Sequence, residues 1–330
     1  MKRPYLLACG LLALAASVLM PGASFAQGKY PERPVRLIVP FPPGGAYDTI
    51  GRPWADRMKN ALGTVVIENI GGGGGSVGAA QATRQRPDGY TLLLGGATTH
   101  ITEGLLKTRP MYDPLKDLVP VSGIAVTAFA ITVHPSVPVK DLKQLIALAR
   151  KDPSAIPWGS AGHGSLNHLT GELFKLQIGV PGLTHVPYKG AGPAIIDLIA
   201  GHIPMIVPAM TNHVLALHRA GRARILAVTH GTRLAAAPEI PTAAEQGLPT
   251  LVSPNFIGIY APTGTPKEVV DHVSAANLRL LAEPSYQQLL VSGTFEIEPP
   301  LSPEAYKRYV EDEMRWWGPI VKTLGIKIDF

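Results

Sequence analysis

Cysteine is nearly missing: Cys9 is the one cysteine in 330 residues. That excludes a disulfide framework and a set of thiolate metal ligands. Concentrated charge is missing too. Against 24 Asp and Glu stand 30 Lys and Arg, a formal net charge of +6, yet nowhere do four or more basic residues run together. Nucleic-acid readers gather such residues on one face, so the charge reads as solvation and no nucleic-acid partner is expected. The longest apolar run, Leu6 to Met20, is about fifteen residues, short of the roughly 20 that span a bilayer. Catalytic patterns are equally scarce. Trp158-Gly159-Ser160-Ala161-Gly162 has Trp where a nucleophile elbow opens with Gly. There is no His-Glu-x-x-His, and the pairs His163/His168 and His213/His218 are five apart, a spacing that puts them on different faces of a helix. Neither a metal nor a cofactor is expected, and the chain does not read as an enzyme.

What is present begins with Lys2 and Arg3, the apolar run, and Ser24-Phe25-Ala26 at a cleavage site. Residues 1–26 thus read as a secretory signal peptide cut after Ala26, giving a periplasmic protein. Leu6-Leu7-Ala8-Cys9 resembles a lipoprotein box, but Leu6 and Leu7 alone separate it from the basic residues, so Ala26 is the better site. The remaining stretch of about 300 residues exceeds what one hydrophobic core serves, and two lobes are the default.

Gly and Pro are plentiful, at 35 and 32, and they punctuate an alternation of strands and helices. Expected strands are Val35–Val39, Val65–Glu68, Tyr90–Leu94, Ile156–Gly159, His185–Pro187, Ile203–Val207 and Arg224–Thr229. Expected helices run from about Asp48 to Leu62, from the glycines at 71–75 to Arg86, from Ser165, over Ala191–Ala200, and along the face Tyr306, Tyr309, Val310, Met314, Trp317 and Val321. Pro53 should kink the first helix or push its start later. Such alternation means α/β lobes with largely parallel sheets, whose ligands sit on the turns beyond the strands' carboxyl ends. The candidate turns are 41–48, 69–78, 95–100, 160–165, 188–192 and 208–212.

Two of these turns are glycine-rich. Phe41-Pro42-Pro43-Gly44-Gly45 leads to Asp48, placed to cap a helix, and Gly71 to Gly75 leads to Ser76 and Gly78. Main-chain N–H groups at such helix starts suit an anion. Gly73, Gly75 and Gly78 also satisfy a dinucleotide fingerprint, but the next strand ends at Leu94-Gly95-Gly96 without the acidic residue that would hold a ribose. Ser165 reads as a helix N-cap, His163 sits on a turn that could face a cleft, and Lys189 could pair with an anion. Side chains at Tyr47, Thr98, His100, His163 and Asn212 could shape the pocket.

The ordered set Tyr30-Pro31-Glu32-Arg33-Pro34-Val35, Val39-Pro40-Phe41-Pro42-Pro43-Gly44-Gly45, Pro87-Asp88-Gly89-Tyr90, Gly159-Ser160-Ala161-Gly162, Val186-Pro187-Tyr188-Lys189-Gly190 and Ala261-Pro262-Thr263-Gly264 resembles the Bug/TctC family, the extracytoplasmic binding subunits of tripartite tricarboxylate transporters. The resemblance implies a type II, Venus-flytrap periplasmic binding fold, with lobe 1 over 27–128 plus 254–330 and lobe 2 over 129–253. It implies a small carboxylate as ligand: a di- or tricarboxylate, an aromatic acid or an acidic amino acid. Phe41, Pro43, Gly44, Gly45 and Asp48 would grip it from lobe 1, with Gly74, Gly75 and Ser76 nearby. Ser160, Gly162, His163, Gly164 and Tyr188 would face them from lobe 2. The implied partners are the membrane components of such a transporter, or a sensor, and the receptor would act as a monomer. The chain departs from the family at Glu103-Gly104, where many members have Asn-Pro.

Overall fold

A computed structural model describes residues 30–297 and 302–329. The signal-peptide and Cys9 readings fall outside the described residues. Two five-stranded sheets form the frame. The first takes β1 (Val35–Val39), β2 (Val65–Asn69), β3 (Thr91–Gly96), β4 (Leu118–Thr127) and β10 (Asn255–Pro262), in the order β2-β1-β3-β10-β4. The second takes β5 (Ala130–Val133), β6 (Trp158–Ser160), β7 (His185–Pro187), β8 (Met205–Ile206) and β9 (Arg224–Val228), in the order β7-β6-β8-β5-β9.

The two orders are the same arrangement. In each sheet two parallel strands flank the first, and one antiparallel strand arriving from the other half separates the third from the last. Buried parallel strands read as unbroken apolar runs, and Leu92-Leu93-Leu94 is wholly buried in β3. The chain passes from β4 to β5 across 127–130 and returns into β10 near 255. Among the described residues no helix is long and apolar enough to cross a membrane.

The helices of the first half are α1 (Ala46–Arg57), α2 (Lys59–Leu62), α3 (Ser76–Thr83) and α4 (Glu103–Leu106). Those of the second are α5 (Leu142–Lys151), α6 (Leu166–Ile178), α7 (Ala191–Ile199) and α8 (Asn212–Arg219). Three more, α9 (Lys267–Leu281), α10 (Pro284–Ser292) and α11 (Pro303–Leu324), follow β10.

The expected first helix starts earlier than read and divides at Met58; α1 runs through Pro53 without ending there. Trp54 explains why this helix is held: its ring is buried and its Nε1–H donates to Asn277 Oδ1 of α9 at 2.7 Å. Asn277 Nδ2 donates in turn to Ser122 Oγ and Gly123 O on β4. The long C-terminal helix presents Tyr306, Val310, Trp317 and Val321 inward, as their spacing implied.

Candidate functional site

The turns at the strands' carboxyl ends meet face to face, so close that they touch backbone to backbone. A Cβ on Gly74 would lie 2.8 Å from Gly164 C and Ser165 N and 2.9 Å from His163 O. One on Gly190 would strike the Pro42 ring at 2.8 Å, and one on Gly192 would meet Pro43 O at 3.2 Å. Glycine at these positions leaves the two halves free to meet.

Two adjoining cavities lie between the halves, with Phe41 and Ala161 in the wall of both. The inner one, about 20 Å³, is lined on one side by Gly45, Ala46, Tyr47 and Thr98 and on the other by Asn167, Ala191 and Ala209, with Asn255 from β10. The outer one, about 300 Å³, lies between Gly72 to Gly75 and Gly162, His163, Tyr188 and Lys189.

The inner cavity sits where two helices begin. α1 starts behind Gly45 and α7 behind Gly190, and neither N-terminus has a side-chain cap. Asp141, Ser165, Thr211 and Ser302 cap α5, α6, α8 and α11, while α2, α3, α4, α9 and α10 also start without a side-chain cap. A helix start carries about half a positive charge on its unpaired N–H groups. Gly45 and Ala191 bring the two starts together, a Cβ on Gly45 falling 4.0 Å from Ala191 Cβ. No Arg or Lys lines the inner cavity, and Lys189 stands at the outer one. The arrangement suits an anion held by dipoles.

Several predicted contact residues have other work. Asp48 lies inside the first turn of α1, and the N-cap is Gly45. Its carboxylate accepts from Gly44 N (3.1 Å), Arg52 Nη2 (2.8 Å) and Asn69 Nδ2 (3.1 Å). Burial works to raise this carboxyl, but the Arg52, Gly44 and Asn69 bonds outweigh it and hold it below its usual range. Asp48 therefore shapes the 41–45 turn, tying it to β2, and lines neither cavity.

Main-chain donors expected at Gly44, Gly75, Gly162 and Gly164 are engaged within their own turns, with Asp48 Oδ2, Gly72 O, Ser160 Oγ and His168 Nδ1. Pro43 and Gly164 touch the opposite half instead of lining a cavity. Ser160 is buried and bonds Gly162 and His185, and Tyr188 lines the outer cavity with its hydroxyl donating to Asp197. Asn212 is exposed on α8 and lines neither cavity; Thr211 caps that helix. Ser76 donates to the buried Glu103 of α4, away from both cavities.

Sequence reasoning missed Ala46, Ala161, Asn167, Ala191, Ala209 and Asn255 as lining residues. Four stand beside glycines or on turns already singled out. Asn167 and Asn255 carry no local signal, because a helix's first turn and a strand start place them. Asn255 is buried with its Oδ1 lacking a hydrogen-bond partner among the described residues.

His100 does not reach the cleft. It is fully buried, tilted over Tyr260 at 4.2 Å between ring centroids, with Nδ1 3.1 Å from Gly96 O. Burial pushes it down to about 4, with the Gly96 bond opposing. A folded-state value below the unfolded 6.5 means stability is full above pH 6.5 and is withdrawn as pH falls toward 4. The loss should reach roughly 3 kcal/mol. Urea unfolding of the parent and His100→Asn across this window should show the parent losing more stability. Parallel pH profiles would refute the assignment.

The five-residue spacing of His163 and His168 does not separate them, because His163 lies on the turn before α6 and only His168 is helical. Their ring centroids are 4.6 Å apart, and His185 at the start of β7 adds a third ring 4.2 Å from His168. Burial first, then the neighbouring histidines and Lys175, pushes His168 to about 2 and His185 to about 3, so both are neutral near pH 7.

Comparison with known proteins agrees with this geometry. Residues 50–326 match the family described as tripartite tricarboxylate transporter family receptor. Protein BugT of Bordetella pertussis is 32% identical over 325 residues, covering 97% of each chain. Among solved structures, Rhodopseudomonas palustris Rpa4515 with adipate superposes with a TM-score of 0.86 at 34% identity, covering 92% of this chain and all of that one. MatC of the same organism, with bound malate, gives 0.84 at 28% identity over 88% of this chain and all of that one.

Proposed function

Since the chain belongs to the tripartite tricarboxylate transporter receptor family, a family of periplasmic solute-binding receptors, we propose that it closes two lobes over a small organic carboxylate and does no chemistry on it. The lobes are 27–128 with 254–330, and 129–253, hinged where the chain crosses at 127–130 and 253–255. The observation that carries this reading is the pair of uncapped helix starts, α1 and α7, facing one cavity from opposite halves. One carboxylate sits between them, held by dipoles without a buried guanidinium partner, so release breaks no strong ion pair. Asn255 lines the same cavity. The rest of the molecule extends past Phe41 and Ala161 into the outer cavity, where Lys189 favours a second negative group.

Relatives with adipate and malate support a dicarboxylate. The receptor delivers its ligand as a monomer to the membrane subunits of a tripartite transporter. A thermal-shift screen of succinate, malate, adipate, citrate, aspartate, glutamate and benzoate tests this. A ligand at 100 times its Kd adds about 2.7 kcal/mol, a rise of roughly 5 °C for a chain of this size. If no organic acid raises the melting temperature, the reading fails; if one does and is consumed, the protein is an enzyme.

A further inference from the structure

Three histidines cluster beside the outer cavity, and of these only His163 lines the space proposed for the organic acid. One ring nitrogen from each of His163, His168 and His185 lies within 4.8 Å of the other two. They come from a turn, a helix and a strand, so only the fold brings them together.

Two of the three rings have an oxygen atom at their outer edge. His185 Nε2 is 2.7 Å from Ser160 Oγ, and His168 Nε2 is 3.8 Å from Glu172 Oε1. An oxygen atom behind a ring is how metal-bound imidazoles are oriented, because the N–H opposite the metal needs a partner. Both rings then turn Nδ1 inward. The His168 Nδ1 lone pair presently takes a long 3.3 Å bond from Gly164 N–H, which a metal would replace.

We propose that His163, His168 and His185 form a binding site for a borderline divalent transition ion such as Zn²⁺, Ni²⁺ or Co²⁺. Imidazole nitrogens select these ions over Mg²⁺ and Ca²⁺, which require oxygen ligands. Bonds of about 2.0–2.1 Å set tetrahedral nitrogens roughly 3.4 Å apart, so capture draws the rings together by about 1 Å. Three protein ligands leave a fourth position for water or an anion on the side of His163, which lines the outer cavity. Replacing the Gly164 bond also touches the closure surface, since Gly164 abuts Gly74 of the other half.

The test uses untagged protein without any organic acid, titrated with Zn²⁺, Ni²⁺ or Mg²⁺ alone and followed by calorimetry and thermal unfolding. The expected result is saturable 1:1 binding of Zn²⁺ and Ni²⁺ with low-micromolar or tighter Kd, and no saturable binding of Mg²⁺. His163→Ala, on an exposed turn where folding is not at risk, should weaken Zn²⁺ at least about tenfold, and His168→Asn and His185→Asn should do the same. Glu172→Gln should weaken it about 10-fold through the outer edge of His168. His213→Ala, exposed on α8, should change nothing. The proposal is overturned if Zn²⁺ is not taken up saturably. It is equally overturned if uptake survives His163→Ala, which would mean scattered surface histidines. Either failure leaves the carboxylate reading standing, because no metal enters that screen.

Discussion

Gly74→Ala should weaken organic-acid binding by about 10- to 100-fold while leaving the open protein folded. Glycine here has φ +68°, and its added Cβ would meet three backbone atoms of the other half, Gly164 C, Ser165 N and His163 O, at 2.8–2.9 Å. Backbone cannot rotate aside as a side chain can, so the methyl holds the halves apart. Overpacking of this kind costs about 1–3 kcal/mol, and it falls on the closed state alone. The left-handed backbone adds about 1–2 kcal/mol of strain in open and closed states alike.

Gly179→Ala separates the two effects. Gly179 has the same φ of +68°, with nothing within 4 Å of its Cβ. It should lose comparable folding stability and keep full affinity. Calorimetric titration with the best acid from the thermal screen, together with small-angle scattering for compaction, reads both. Equal affinities in the two variants would sink the view that this contact is a closure surface.

The largest stability effect is expected at Glu103. Its side chain is fully buried, its Oε2 accepts from Ser76 Oγ, and its Oε1 accepts from Met111 N–H at 2.5 Å. The equally buried Lys107 ammonium is 3.9 Å away, and burial holds Lys107 below its usual range while Glu103 works to raise it. Removing one member of a buried pair leaves the other charge poorly compensated, at a cost of about 3–5 kcal/mol. Glu103→Ala should therefore lower stability by that amount, and Glu103→Gln, which keeps an acceptor for Met111, by less. The double change Glu103→Leu with Lys107→Met should recover part of the loss, since apolar replacements of a buried pair are often tolerated. Urea unfolding of the three variants decides it. A Glu103→Ala loss below about 1 kcal/mol would show that the pair does not hold α4 against the glycine turn.

Much of the fold was legible because its signals are local. Val35–Val39 forms a strand with the bounds its residues implied, a strand ends at Pro187 as expected, and Ala191–Ile199 is helical as expected. Each follows from apolar periodicity between Gly and Pro breaks. The site was legible only in outline. The turns at 41–48, 160–165 and 188–192 do supply the cleft, but the sequence could not say which of their N–H groups remain for a ligand. Asp48 shows why: its partners Gly44, Arg52 and Asn69 include one from another strand.

By itself, then, the sequence determined two α/β lobes, glycine-rich turns before helices at 41–48 and 71–78, and a chain whose one cysteine is Cys9. These depend on residues adjacent in the chain, where propensity and periodicity act. Tertiary structure alone decided that Gly74 serves contact between halves, that Glu103 is bound to Ser76, and that His185 joins His163 and His168. Such pairings join segments about 20 to 90 residues apart, and only the packing of one sheet and one lobe against another settles which groups share a volume.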